Sequence, residues 1–318
     1  MLKNKTYLRT LFTILLVIAI VSVAYIIDFS KKYPIPLTSR ISLDAKLKFI
    51  LENIEPDRVD TIIVGSSIGL NNIQGSYLEK FSSKCNTVLN LSVYEATTLQ
   101  VEQLLELTEA FPNLKRIIYS AQYSDFPHLK IFKEYDSKFL IKYIRKELNP
   151  FTYVKTILES CQDLKFCINR ADVWKDEHQM SNKFTYLGFD STGSVPLHIY
   201  GDDIIQHRWK NPHPGIMHSK SFAALERMSH KAKNSNIKFY LAHQPYRKPL
   251  FDSNEKVRNA IHYFDSMSNK ALIKHDGKLI KLQELNLNDE YFADRTHLND
   301  KGSIITAKAI GKFIDKSE

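Results

Sequence analysis

Cysteine, glycine and proline are all scarce in this chain: three, ten and eleven among 318 residues. Three cysteines cannot staple a chain of this length, which excludes a disulfide-dense scaffold. So little glycine and proline excludes collagen-like and low-complexity architectures, and no internal repeat is visible. What is present is a composition that folds. The chain is 43% hydrophobic, 25% charged and 11% aromatic, enough to bury a full core in one large domain or two small ones.

A formal charge of +9 would suit nucleic acid or an anionic membrane as partner. The charge is unevenly placed, however. Residues 1–40 hold Lys3, Lys5, Arg9, Lys31, Lys32 and Arg40 against Asp28 alone, a net of +5, which leaves +4 for the other 278 residues. Between these cations runs Leu11 to Ile27, whose only polar members are Thr13 and Ser22. That is close to the roughly 20 residues needed to cross a bilayer core. Basic residues before it favour an N-terminus kept in the cytoplasm, with the remainder outside. A cleavable signal is the alternative, because Ser22-Val23-Ala24 resembles a small-residue cleavage site. The run continues through Tyr25, Ile26 and Ile27, which suits an anchor better. In both cases the domain is exported, and the basicity serves orientation rather than nucleic-acid binding. Residues 1–40 are therefore expected to be cytoplasmic tip, transmembrane anchor and linker, and 41–318 the folded domain.

Beyond the anchor, strand-like and helix-like stretches alternate. Asp60 to Val64, Thr87 to Leu91, Arg116 to Tyr119 and Lys238 to Ala242 are short apolar or β-branched runs. Thr97 opens a helix with Gln100 three residues later, a capping-box pattern. Further helices are expected at Leu225 to Asn234, Asn254 to Ser268 and about Lys301 to Phe313. Strands separated by helices imply crossovers and a parallel sheet covered on both faces. About 128–215 interrupts this rhythm as an insertion, partly helical at Asp136 to Leu148 and Pro150 to Cys161. The first of these is basic and amphipathic, a face suited to solvent or to anionic lipid.

Candidate chemistry lies at strand ends, where open α/β sheets bind ligands. Gly65-Ser66-Ser67 follows the first strand, and a tight turn there exposes a hydroxyl. Asp294 and His297 fall three apart just before the last helix. At that spacing a carboxylate can hold one imidazole nitrogen and leave the other to deprotonate a serine. The simpler reading, a turn that caps the following helix, accounts for Asn299 and Asp300 better than for His297.

Together, Gly-Ser-Ser after the first strand, Asn-Leu-Ser at the end of the second and D-x-x-H-L-N before the last helix resemble the SGNH/GDSL hydrolase superfamily. With an N-terminal anchor, the arrangement is similar to the membrane-tethered DltD-like and AlgX-like proteins of cell-envelope glycan acylation. The resemblance covers about 55–125 and 238–314. It implies a flavodoxin-like three-layer α/β/α sandwich with a mainly parallel sheet, plus the anchor and the partly helical insertion. It places the nucleophile on Ser67, Ser66 at the family's Asp position, and the remaining catalytic pair on Asp294 and His297. The oxyanion donors would come from Ser92 or Glu95, where the family has glycine, and from the Gln122 amide in place of the family's Asn. The implied function is a serine esterase or O-acyltransferase acting on an acylated cell-surface glycan through an acyl-Ser67 intermediate. The contrasting expectation is a catalytically weak domain that binds glycan or a membrane-bound O-acyltransferase.

His243 and Tyr246 follow the fourth strand and are expected at the edge of the same cleft, and Trp209 is a candidate for stacking on sugar rings. His207, His213 and His218 match no zinc spacing and have no cysteine nearby. No metal or cofactor is therefore expected. Cys161 and Cys167 are spaced to close a small disulfide in an oxidising compartment, and Cys85 is expected to be an unreactive thiol.

Overall fold

Every residue of Thr61–Gly65 (β1) is buried, as in a strand covered on both faces. In this computed structural model, which describes residues 2–38, 40–133, 135–161, 163–177, 187–208 and 215–318, β1 is one of three inner strands of a five-stranded sheet. Its partners are Val88–Asn90 (β2), Arg116–Ala121 (β3), Lys238–His243 (β4) and Lys278–Lys281 (β5). All pairings are parallel, in the order β2-β1-β3-β4-β5. The four expected strands are present within a residue or two. The fifth, Lys-Leu-Ile-Lys, was not anticipated. It is an edge strand with charged ends and only Ile280 fully buried, so it carries little hydrophobic signal.

The α-helices are, in chain order, Leu2–Lys32 (α1), Ile41–Asn53 (α2), Ser67–Asn72 (α3), Gly75–Phe81 (α4), Thr98–Leu104 (α5), Ser137–Ile144 (α6), Pro150–Ser160 (α7), Leu164–Glu177 (α8), Ser219–Asn234 (α9), Lys248–Ser253 (α10), Glu255–Ile273 (α11) and Asp300–Ser317 (α12). The expected capping box is in place, with Thr97 accepting from the Gln100 N–H and Gln100 reaching back to the Thr97 N–H. Alternation along the strands divides the core into two layers. Ile62, Val64, Ile117, Tyr119 and Leu241 pack with Leu47, Val101, Leu225 and Ile261 of α2, α5, α9 and α11. Ile63, Ile118, Tyr240 and Ala242 face the other way, onto Leu78 of α4 and Ala307, Ile310 and Ile314 of α12. The protein is thus α/β, with one parallel sheet flanked by helices.

Lys5–Lys32 of α1 is long and apolar enough to cross a membrane, by length and composition, and none of its apolar window is buried in the domain. An anchor and a signal sequence both meet that description.

The insertion is more closely knit to the domain than its sequence suggests. The segment expected to be helical over 136–148 forms a helix only at α6, which buries Leu140, Tyr143 and Ile144. The second forms as α7, and α8 follows as a helix not foreseen. Cys161 and Cys167 are disulfide-bonded between them, while Cys85 is a buried free thiol. The chain then returns to the sheet. The Asn90 N–H donates to the Thr192 carbonyl at 2.7 Å, and the Val195 N–H donates to the Leu70 carbonyl at 2.9 Å.

Candidate active site

β1 runs without a loop into α3. The close passage requires Gly65, since a Cβ there would sit 2.5 Å from the Ser120 carbonyl oxygen on β3. Ser66 caps the helix, its hydroxyl accepting from the Ile68 N–H at 3.2 Å, which leaves Ser67 as the first helical residue, half-buried at the sheet's carboxyl edge. The strand order changes direction between β1 and β3, so this turn borders the crevice at the switch point.

Opposite Ser67, the segment before α12 folds into a tight turn. Asp294 Oδ1 accepts from the Thr296 N–H at 2.9 Å and the His297 N–H at 2.8 Å. Both carboxylate oxygens lie 3.0 Å from His297 Nδ1. An ionised carboxylate only accepts, so Nδ1 carries the proton and Nε2 is left as an acceptor. His297 Nε2 lies 2.8 Å from Ser67 Oγ, the geometry of a hydroxyl donating to a general base. Burial raises the Asp294 carboxyl, but attraction to His297 and the hydrogen bonds from His297 and Thr296 outweigh it and hold the group well below the usual carboxylate range. The orienting charge therefore persists into acid.

Two residues not singled out from the sequence hold this arrangement. Asn72, fully buried at the end of α3, donates to the Thr296 carbonyl at 3.0 Å and accepts from the Leu298 N–H at 2.8 Å. It thereby clamps both sides of His297 to the helix that begins with Ser67. Asp125, after β3, accepts from the Ser66 hydroxyl and from the Gln122 N–H, each at 2.8 Å. It ties the Ser66–Ser67 turn to the neighbouring strand. Burial pushes its carboxyl up to about 6, against the lowering effect of those two hydrogen bonds and of His297. The Asn-Asn doublet closing Gly-Leu-Asn-Asn, polar residues in an otherwise buried helix, was the available signal for Asn72. Asp125 had none beyond its place after a strand.

Ser66, Ser67, Asp125 and His297 line one cleft of about 400 Å³, with Arg40, Glu95, Lys130 and Arg295 around it. Glu95 has φ +57°, a left-handed conformation that favours glycine. Its carboxylate lies 3.6 Å from Arg40, which offsets its charge beside the site. Four other expected residues are placed elsewhere. Ser92 is buried beneath α3, where its N–H donates to Asn90 Oδ1 at 3.0 Å. The Gln122 amide donates to the Pro245 carbonyl at 2.7 Å, away from the cleft. His243 and Tyr246 do not border the cleft. His243 is fully buried between Asp265, 2.6 Å from Nδ1, and the Tyr246 hydroxyl, 2.9 Å from Nε2. Tyr246 in turn accepts from the Tyr123 N–H at 3.1 Å and stacks on the Tyr123 ring. Position after a strand could not separate a cleft residue from this buried polar brace. Trp209 and His213 lie outside the described residues, and His207 and His218 are exposed. Among the described residues, no group of three or more His, Cys, Asp or Glu side chains is placed to hold a metal ion.

No protein-family model matches the chain, and no curated protein matches it.

Two stability predictions follow from these contacts. Asn72→Ala removes a buried amide and leaves two backbone groups unpaired, so chemical denaturation should show a loss of about 2–4 kcal/mol. A loss under about 0.5 kcal/mol would contradict the clamp. Asp125 works in the opposite sense. Its folded-state pKa is raised from 3.8 to about 6, so its stability contribution is complete below about pH 4 and is lost as pH rises through 6. The melting temperature of Asp125→Asn relative to the unsubstituted protein should therefore be higher at pH 7.5 than at pH 4.5, by roughly 3–6 °C. A difference independent of pH would refute the raised carboxyl.

Proposed function

We propose that this protein is a membrane-anchored serine esterase or O-acyltransferase that forms an acyl-Ser67 intermediate. The observation that carries the proposal is the continuous contact from Asp294 through His297 to Ser67, with 3.0 Å and 2.8 Å steps, opening into a cleft at the carboxyl ends of the strands. His297 Nε2 takes the Ser67 proton as Oγ attacks an ester carbonyl, and Asp294 stabilises the imidazolium that forms. Collapse of the tetrahedral intermediate expels the alcohol, which receives that proton. Water or a sugar hydroxyl then attacks the acyl-enzyme in the reverse sequence and frees Ser67. The oxyanion is held by the Ser67 N–H and by the backbone at Glu95, whose glycine-like conformation fits the place the SGNH/GDSL resemblance assigns to an oxyanion-hole glycine.

The resemblance supports an SGNH-type fold assignment and an acylated cell-envelope glycan, acetylated in the simplest case, as substrate. The apolar α1 and its flanking cations support a single-pass anchor in a bacterial cytoplasmic membrane, with the domain on the outer side. The Cys161–Cys167 disulfide suits that oxidising side. One observation favours the alternative of a catalytically weak domain that binds glycan or partners a membrane acyltransferase. With the Gln122 amide given to Pro245, the side-chain oxyanion donor that the resemblance implies is turned away from the site, and losing such a donor typically costs about 10²–10³ in rate.

Turnover of p-nitrophenyl acetate by the full chain separates the two. Ser67→Ala and His297→Ala should each lower kcat/KM by about 10³-fold or more, and Asp294→Asn by about 10²–10⁴-fold. Turnover by the unsubstituted protein no greater than that of Ser67→Ala would favour the binding alternative.

A further inference from the structure

Among the described residues outside α1, ten large apolar side chains are exposed, and five of them fall on α7 and α8: Phe151, Leu158, Phe166, Ile168 and Val173. Phe151, the most open of the five at 79%, lies seven residues before Leu158, and Phe166 lies seven before Val173. Each pair therefore shares a helix face. Single exposed apolar residues are ordinary, whereas several on α7 and α8, two consecutive helices linked by the Cys161–Cys167 disulfide and termed the hairpin, mark a surface that something covers.

The hairpin's position identifies the cover. α7 packs against α1. Tyr33, one residue past α1, meets Trp174 of α8 edge-on, with centroids 5.9 Å apart. The Lys175 ammonium lies 5.2 Å from the same Tyr33 ring. On the other side, Lys48 donates to the Lys31 carbonyl at 2.6 Å, so the end of the apolar helix is fixed between α2 and the hairpin. We infer that the α7–α8 hairpin rests in the interfacial layer of the bilayer that α1 enters, an inference that relies on reading α1 as an anchor. Apolar side chains sink to the acyl boundary, while Lys155, Lys165 and Lys175 sit at headgroup level, as in amphipathic helices lying on a membrane.

This placement has a consequence for the cleft. A second depression, lined by Phe166, Arg170 and Val173 of α8, shares Arg40 and Glu95 with the cleft around Ser67. The path to Ser67 then begins at the lipid surface. An ester carried by a membrane-bound or membrane-apposed molecule reaches it along the bilayer.

Trp174 reports on the hairpin directly, because the chain has only two tryptophans and Trp209→Phe leaves it alone. The full chain with that substitution is reconstituted into phosphatidylcholine vesicles with plain or brominated acyl chains. Flotation shows whether α1 anchors it. Brominated lipid should quench Trp174 emission by about half, as for an indole at the headgroup–acyl boundary. The added exposed substitutions Phe151→Glu, Leu158→Glu and Ile168→Glu should abolish most of that quenching while the protein still floats. A chain that floats but is not quenched overturns the hairpin placement and leaves the anchor standing. Quenching unaffected by the three substitutions also overturns it, since α1 alone would then bring Trp174 to lipid. A chain that does not float overturns both. Turnover of p-nitrophenyl acetate is read separately, so failure of the serine chemistry is distinguishable from either result.

Discussion

Asn72 spans two segments of the chain that meet only in the folded state. Its amide donates to one carbonyl and accepts from one N–H, 224 and 226 residues away. The two backbone groups it holds flank His297, and Asn72 itself ends the helix that Ser67 begins. The Ser67–His297 distance therefore depends on one short helix and one buried side chain rather than on two independent loops. α12 is drawn into the same arrangement, since the Asn299 side chain caps it by accepting from the Gly302 N–H and Thr306 donates to the Asn72 carbonyl. Groups that act together need to be held closely, because an error of about 1 Å can cost 10²-fold in rate.

Around that clamp the polar groups divide by task. Asp294 is buried as a charge, and its environment offsets the cost with donors from Thr296 and His297, among them two backbone N–H groups within its own turn. Such a carboxylate orients imidazole without competing for the proton. Asp125 is the reverse case, a carboxylate whose burial is only partly offset, so the fold spends stability to keep it between Ser66 and Gln122. The Asp265–His243–Tyr246 chain lies behind β3 and β4 and braces the loop that supplies Asp125, through the Tyr246 contact to the Tyr123 backbone.

Much of the sheet was legible in the sequence because buried parallel strands are continuous apolar runs. β1, β2, β3 and β4 could be read that way, while β5 could not, being short, charged at both ends and at an edge. The serine, aspartate and histidine were legible through local pattern. A hydroxyl directly after a strand and a carboxylate three residues before an imidazole each have a chemical reason for their spacing. The residues that failed were those whose role depends on where a side chain points. Gln122 has the right chemistry but turns to Pro245, and His243 follows a strand yet faces the core. Asn72 and Asp125 act through long-range partners, and no local period carries that information. The insertion was opaque for a similar reason, since residues 192–197 return to β2, α3 and α12 through backbone hydrogen bonds that any sequence can make.

Under the proposed reading, α1 as an anchor and α7–α8 on the bilayer would bring Ser67 close to a membrane surface, through the depression that shares Arg40 and Glu95 with its cleft, and the proposed chemistry rests on one oxygen atom. Labelling the full chain with a fluorophosphonate, followed by peptide mass spectrometry, asks whether that oxygen is nucleophilic. The predicted result is a single adduct on Ser67 that disappears in His297→Ala. No adduct, or an adduct on Ser66 or Ser124 instead, would contradict it.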